Sequence, residues 1–125
     1  MPFRRKPTDA ELAILRVLWG RGPSTVRDVA TEMGRERSYT TVLKLLQIMA
    51  DKGLVRRNEA SRTHIYEAAH AQDEVEKHLV GDLLHRLFDG AAGKLVLHAL
   101  EDGNVTADEL AEIRRLLNQR SGTRS

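Results

Sequence analysis

The stretch from Ser38 to Val55, SYTTVLKLLQIMADKGLV, has few folded environments open to it, and it constrains the segments on either side. Val42, Leu45, Leu46 and Met49 recur at i, i+3, i+4 and i+7, so four apolar side chains share one face of a helix. With about 100° of rotation per residue, the opposite side carries Thr40, Thr41, Lys44, Gln47 and Asp51, with Ile48 at the border. Ser38 has the chemistry to cap the start, and Gly53 can take the left-handed conformation that ends the helix. The exposed face therefore offers hydroxyls, one ammonium and one amide. It is suited to hydrogen-bonded reading of another molecule rather than to a strong ionic surface.

The segments before and after it supply partners for its apolar face. Thr8-Asp9-Ala10-Glu11 forms a capping box, so a first helix is expected to begin near Asp9. Its apolar residues Leu12, Leu15, Leu18 and Trp19 keep helical spacing, with Trp19 as a core anchor, and Gly20, Gly22 and Pro23 close it. Ser24 or Thr25 caps a second helix whose inner face is Val26, Val29, Ala30 and Met33, ending at Gly34. Two short helices joined by the polar turn RERS describe a helix-turn-helix. After Gly53 the period changes. Residues 54–59 and 63–68 read as two strands of a hairpin bearing Arg56, Arg57, Arg62 and His64, a basic wing.

From Gln72 the helical period returns. Leu79, Leu83 and Leu87 lie on one apolar face, Leu95 and Leu100 fall in a short second segment, and a capping box at Thr106 and Glu109 opens a third with Leu110, Ile113 and Leu117. Three short helices with this much apolar surface need a partner, most simply a second copy. The expected architecture is mainly α with a small β-hairpin: a winged helix-turn-helix over residues 8–70, then a helical dimerisation region over 71–120. Residues 1–7, with the basic arm Arg4 to Lys6, and 121–125 are expected to be flexible tails.

Composition sharpens this. A hydrophobic fraction of 41% and a charged fraction of 30% suit a globular protein. There is no cysteine, which excludes a disulfide framework, a thiol nucleophile and thiolate metal ligation. No apolar run is long enough to span a membrane and no leader follows the basic N-terminus, so a cytoplasmic protein is expected. Residues 1–70 hold 13 Lys and Arg against 8 Asp and Glu, and residues 71–125 hold 7 against 10. A polyanion would meet the front half.

ELAILRVLW in the first helix, YTTVLKLLQIMADKGLV in the third, and the wing pattern R-x-x-x-Y from Arg62 to Tyr66 together resemble the penicillinase repressor family of bacterial regulators, over roughly residues 8 to 118. The resemblance implies a homodimeric transcriptional repressor that binds an inverted-repeat operator in double-stranded DNA, with dimerisation through the C-terminal helices. In the β-lactam-responsive branch, linked to antibiotic resistance, a sensor-protease system ends repression by cleavage. By similarity that point falls at His98-Ala99 in LVLHAL, where the best-known members carry an asparagine-aromatic pair. The paired C-terminal cysteines of the copper-responsive branch are absent.

On this reading the third helix enters the major groove. Thr40, Thr41, Lys44 and Gln47 meet base edges and thymine methyls, Arg35, Arg37, Arg56, Arg57 and Arg62 hold the backbone, and Ser38 and His64 complete the DNA-binding set. Tyr39 lies closer to the core side, suited to packing or a phosphate bond. An enzyme is not expected, and neither is a cofactor. Gly90-Ala-Ala-Gly93-Lys94 has two residues between its glycines where a phosphate loop has four, and Leu95 stands where a hydroxyl is needed. His78, Asp82 and His85 share one side of a helix at i, i+4 and i+7, which suits a zinc-like ion and equally describes a solvated face. Two alternatives remain from the residues alone: a ligand- or metal-sensing winged-helix regulator, and a winged-helix protein-interaction module.

Overall fold

In a computed structural model, residues 5–34, 37–60 and 62–122 are described. The chain runs α1 (Asp9–Arg21), α2 (Val26–Met33), α3 (Tyr39–Lys52), β1 (Val55–Asn58), β2 (Ile65–Ala68), α4 (Gln72–Arg86), α5 (Ala92–Asp102) and α6 (Ala107–Gly122). The starts are set locally. Thr8 caps α1 by accepting from the Glu11 amide at 3.2 Å, and the Glu11 carboxylate accepts from the Thr8 amide at 2.8 Å. Thr25, not Ser24, caps α2, in the same reciprocal arrangement with Asp28. Gly53 ends α3 at φ +81°, where a side chain would be strained.

Ser24 has a different task. Its amide donates to the Tyr66 carbonyl at 2.9 Å and its carbonyl accepts from the Tyr66 amide at 2.8 Å, so the α1–α2 connection pairs with β2. The strands β1 and β2 are antiparallel, with Val55 opposite Ala68 and Arg57 opposite Tyr66. They are shorter at both ends of the hairpin than the residues' β character suggests. Around this framework Ile14, Leu15, Leu18, Val29, Val42, Leu46, Met49, Leu54 and Tyr66 form the core. All are buried, as the spacing of their apolar residues requires.

A buried ion pair ties the ends of the domain together. The Lys52 ammonium at the end of α3 donates to both Glu11 oxygens at 2.8 and 2.9 Å. Glu11 is 1% exposed. Burial pushes its carboxyl up, but the Lys52 ammonium and the Thr8 cap outweigh that and hold it below the ordinary carboxylate value.

The chain divides into two compact units, one ending at Gly81 and the other beginning at Asp82. The first therefore takes in the opening of α4 as well as residues 8–70. Val75 is buried in the winged-helix core and Leu79 packs against it. Leu79, expected on the dimer face, is thus partly covered within its own unit, because the first two turns of α4 lie along the domain that precedes them. In the second unit α6 continues through Ser121 and Gly122, beyond the end of its apolar stripe and into the segment expected to be a tail. A helix persists where its backbone hydrogen bonds do, whichever side chains it carries.

Candidate nucleic-acid interface

The third helix presents one face to the core and another to solvent. Val42, Leu46 and Met49 are buried, while Thr40, Thr41, Lys44, Gln47 and Ile48 are exposed. Ser38 accepts from the Thr41 amide at 3.2 Å, and its hydroxyl donates to that of Thr41 at 3.0 Å. The Ser38 hydroxyl thus holds the start of α3, while the Thr41 hydroxyl accepts from it and keeps its own proton and methyl on the exposed face. Thr40, Thr41, Lys44 and Gln47 are the projecting polar groups.

Beside this face lies a cleft of about 330 Å³ between the start of α2, the start of α3 and the wing. Thr25, Arg27, Tyr39, Leu43, Arg62 and His64 are among its lining residues. Tyr39 is 50% exposed at this cleft rather than turned to the core. The reason is its place as the first residue of α3, before the helix settles onto Val42 and Leu46. Arg27 went unnoticed in the sequence, although an arginine in the first turn of α2, beside a capping threonine, was a usable signal. Its position is held by the α2 cap, where the Thr25 amide and Arg21 keep Asp28 charged below its ordinary pKa.

The wing is less basic than its composition. Arg56 pairs with Glu67 across the hairpin at 3.4 Å, and Arg57 pairs with Glu59 at 3.2 Å. His64 also lies 3.9 Å from Glu59. The Tyr66 hydroxyl and the Glu59 carboxylate beside it raise the Arg57 pKa above the usual guanidinium value, so its charge is secure. The buried Tyr66 hydroxyl itself makes no hydrogen bond of regular geometry, so that approach to Arg57 is a loose polar contact. Among the described residues, Arg27, Arg37, Lys44 and Arg62 have no ion-pair partner. These four cations have no carboxylate to give up on meeting a polyanion. Arg35 lies outside the described residues.

In the second unit the expected dimer positions are largely uncovered. Leu87 is 68% and Leu117 59% exposed, Leu83, Leu100 and Leu110 are also exposed, and Leu95 and Ile113 are half-buried. Leu100, Val105 and Ile113 line an apolar groove between α5 and α6. His98 and Ala99 are exposed on α5, a helix whose first residues have no side-chain cap, and the His98 ring lies 5.9 Å from that of Phe88. Of the candidate metal residues, Asp82 accepts from Arg86 at 3.4 Å. Among the described residues, no three His, Cys, Asp or Glu side chains are placed to hold a metal ion.

Three helices, a polar-faced third helix and a hairpin stitched to the α1–α2 connection define a winged helix-turn-helix protein. The fold is shared with a MarR family protein from Bacillus stearothermophilus, at a TM-score of 0.50 and 19% identity over 94% of this chain and 75% of that one. The chain belongs to the penicillinase repressor family, whose sequence model matches residues 7–119. It is 38% identical over 113 residues to the transcriptional regulator BlaI of Mycobacterium tuberculosis, covering 87% of this chain and 80% of that protein. The penicillinase repressor of Bacillus licheniformis is 23% identical over 90% of this chain and 89% of its own length. The family consists of transcriptional repressors, not enzymes. Among the described residues no helix is long and apolar enough to cross a membrane.

Proposed function

We propose that this protein is a homodimeric transcriptional repressor that binds a palindromic operator, with α3 in the major groove and the wing along the backbone. The observation that carries this reading is the solvent-facing set Thr40, Thr41, Lys44 and Gln47 beside a cleft lined by Arg27 and Arg62, neither of which has an ion-pair partner among the described residues. Lys44 has the reach for guanine or a phosphate, Gln47 the donor and acceptor for adenine, and the Thr40 methyl suits thymine. Arg27 and Arg62 line one cleft and hold a phosphate strand there without reading sequence. Arg56 and Arg57 contribute less salt-dependent affinity, because each must first leave a carboxylate. Dimerisation uses the exposed leucines of the second unit, and it sets the recognition helices about 34 Å or a multiple of that apart. The protein acts in the cytoplasm on antibiotic-resistance genes, a reading supported by its likeness to the penicillinase repressor of Bacillus licheniformis, and the exposed α5, with no side-chain cap, suits relief by cleavage at His98-Ala99.

The test is selection of bound sequences from a random DNA pool, followed by fluorescence anisotropy on the winner at two salt concentrations. A palindrome preferred by about 10³ or more over random DNA is the expected result. Weak binding without enrichment would refute the operator reading. The same assay separates the roles of the residues. Gln47→Ala is expected to cost about 1–3 kcal/mol on the operator and to relax preference at one base pair. Arg62→Ala is expected to weaken binding to every sequence and to lower the salt slope by about 1. Equal losses on operator and random DNA for both variants would overturn that division.

A further inference from the structure

The outward side of α3 carries one side chain out of keeping with its neighbours. Ile48 is 38% exposed. It follows Lys44 by four residues and Thr41 by seven, so the three form a line along the helix, about 10 Å from first to last. Among the described residues of the winged helix, 8–70, the exposed large hydrophobic side chains are Tyr39 and Ile48, and both stand on α3. Tyr39 lines the cleft with Arg27 and Arg62, whereas Ile48 falls half a turn away, within the polar face. The second half of α3 offers a polyanion no cation. Lys52 is the one Lys or Arg after Lys44 in the helix, and its ammonium is held by both Glu11 oxygens. Asp51, one turn beyond Ile48, is exposed and would repel a phosphate. This part of the helix is therefore not built to hold a nucleic-acid backbone. In the major groove the apolar group among the base edges is the 5-methyl of thymine, and an isoleucine desolvated against it leaves no donor or acceptor unpaired.

We propose that Ile48 is a specificity-determining residue of the operator contact, its side chain packing on the 5-methyl group of one thymine in each half-site. The proposal rests on the operator reading above and adds a base position to it, about three base-pair steps from the one Thr41 meets. Lys44 and Gln47 read by hydrogen bonds and Ile48 by exclusion of water. An apolar side chain there disfavours the polar edges of guanine, adenine and cytosine, which it would desolvate without pairing.

Replacing thymine by uracil removes that methyl and leaves base pairing unchanged. Uracil placed at one thymine position at a time in the selected palindrome, in both half-sites, therefore reads the contact directly by fluorescence anisotropy. For the parent, burial of one methyl predicts a loss of about fourfold per half-site, about fifteenfold for the pair, at the position Ile48 meets. Ile48→Ala should abolish the loss at that position alone and leave the losses at other thymines as they are. Ile48→Val, which keeps a branched apolar surface, should retain most of it. Because Ile48 is exposed and alanine is the better helix former, the alanine variant keeps its fold. A uracil profile for Ile48→Ala identical with the parent's would overturn the proposal, as would a parent profile with no loss at any thymine. A parent that enriches no sequence from the random pool would instead remove the operator reading itself, and this proposal with it.

Discussion

Glu11→Ala is expected to destabilise the protein by about 3 kcal/mol or more, because it strands the Lys52 ammonium in a site built for a pair. Lys52 is only 14% exposed at its side chain and Glu11 is all but inaccessible, so water offers little compensation. The substitution also removes the carboxylate that accepts from the Thr8 amide at the start of α1. Lys52→Met separates the two effects, since it leaves that cap in place while depriving Glu11 of its main counter-charge. The double variant Glu11→Leu with Lys52→Met should recover much of the loss, as replacing both members of a buried pair by apolar groups commonly does. Calorimetric melting of the three variants checks this, and a double variant less stable than either single one would contradict it.

The same pair predicts a pH dependence with a definite sign. Glu11 titrates below its ordinary value of 4.5 in the folded chain, so the folded state holds the proton less tightly than the unfolded one. Its contribution is therefore fully present above the ordinary carboxylate range and lost as pH falls through the lowered value. The stability difference between the parent and Glu11→Gln should narrow in acid. A difference that stays constant from neutral pH into that range would show that the carboxylate's charge is not what stabilises α1 against α3.

Leu117→Asp is expected to produce the second large effect, on assembly rather than folding. Leu117 is well exposed on α6, in a unit where Leu83, Leu87, Leu100 and Leu110 are also exposed, and a carboxylate there would have to be desolvated in a dimer interface. On the dimeric reading proposed above, sedimentation velocity should report a dimer for the parent and a monomer for the variant. Tethering two winged helices makes the second half-site encounter intramolecular, so operator affinity should drop by about 10² or more while half-site affinity is retained. Trp19, in the first unit, supplies a fluorescence signal that verifies the winged helix is intact. A variant that stays dimeric would move the interface away from α6.

Much of the architecture was legible because it is decided within a turn or two of chain. Capping boxes at Thr8/Glu11 and Thr106/Glu109, the left-handed Gly53 and the apolar spacing of α3 act over three to seven residues, and the structure reproduces each. The motifs in α1, α3 and the wing that resemble the penicillinase repressors were sufficient for the family. The site was legible in part. The polar face of α3 followed from its period, but the capture of the Ser38 hydroxyl by its own helix start and the neutralisation of Arg56 and Arg57 by neighbouring carboxylates depend on where side chains meet.

Local sequence thus determined which segments are helices, which form the wing, and which face of α3 is polar, because hydrogen-bonding period and side-chain spacing act between near neighbours. Only the tertiary structure decided the pairings that make those elements one domain. Lys52 reaches Glu11 across 41 residues, Trp19 reaches the His70 carbonyl across 51, and Ser24 bridges to Tyr66. It also decided that Arg27 shares a cleft with Arg62 and that Leu79 turns to the core. Such contacts leave no periodic trace, since a buried polar group needs one partner at the right place in space, whatever its distance along the chain.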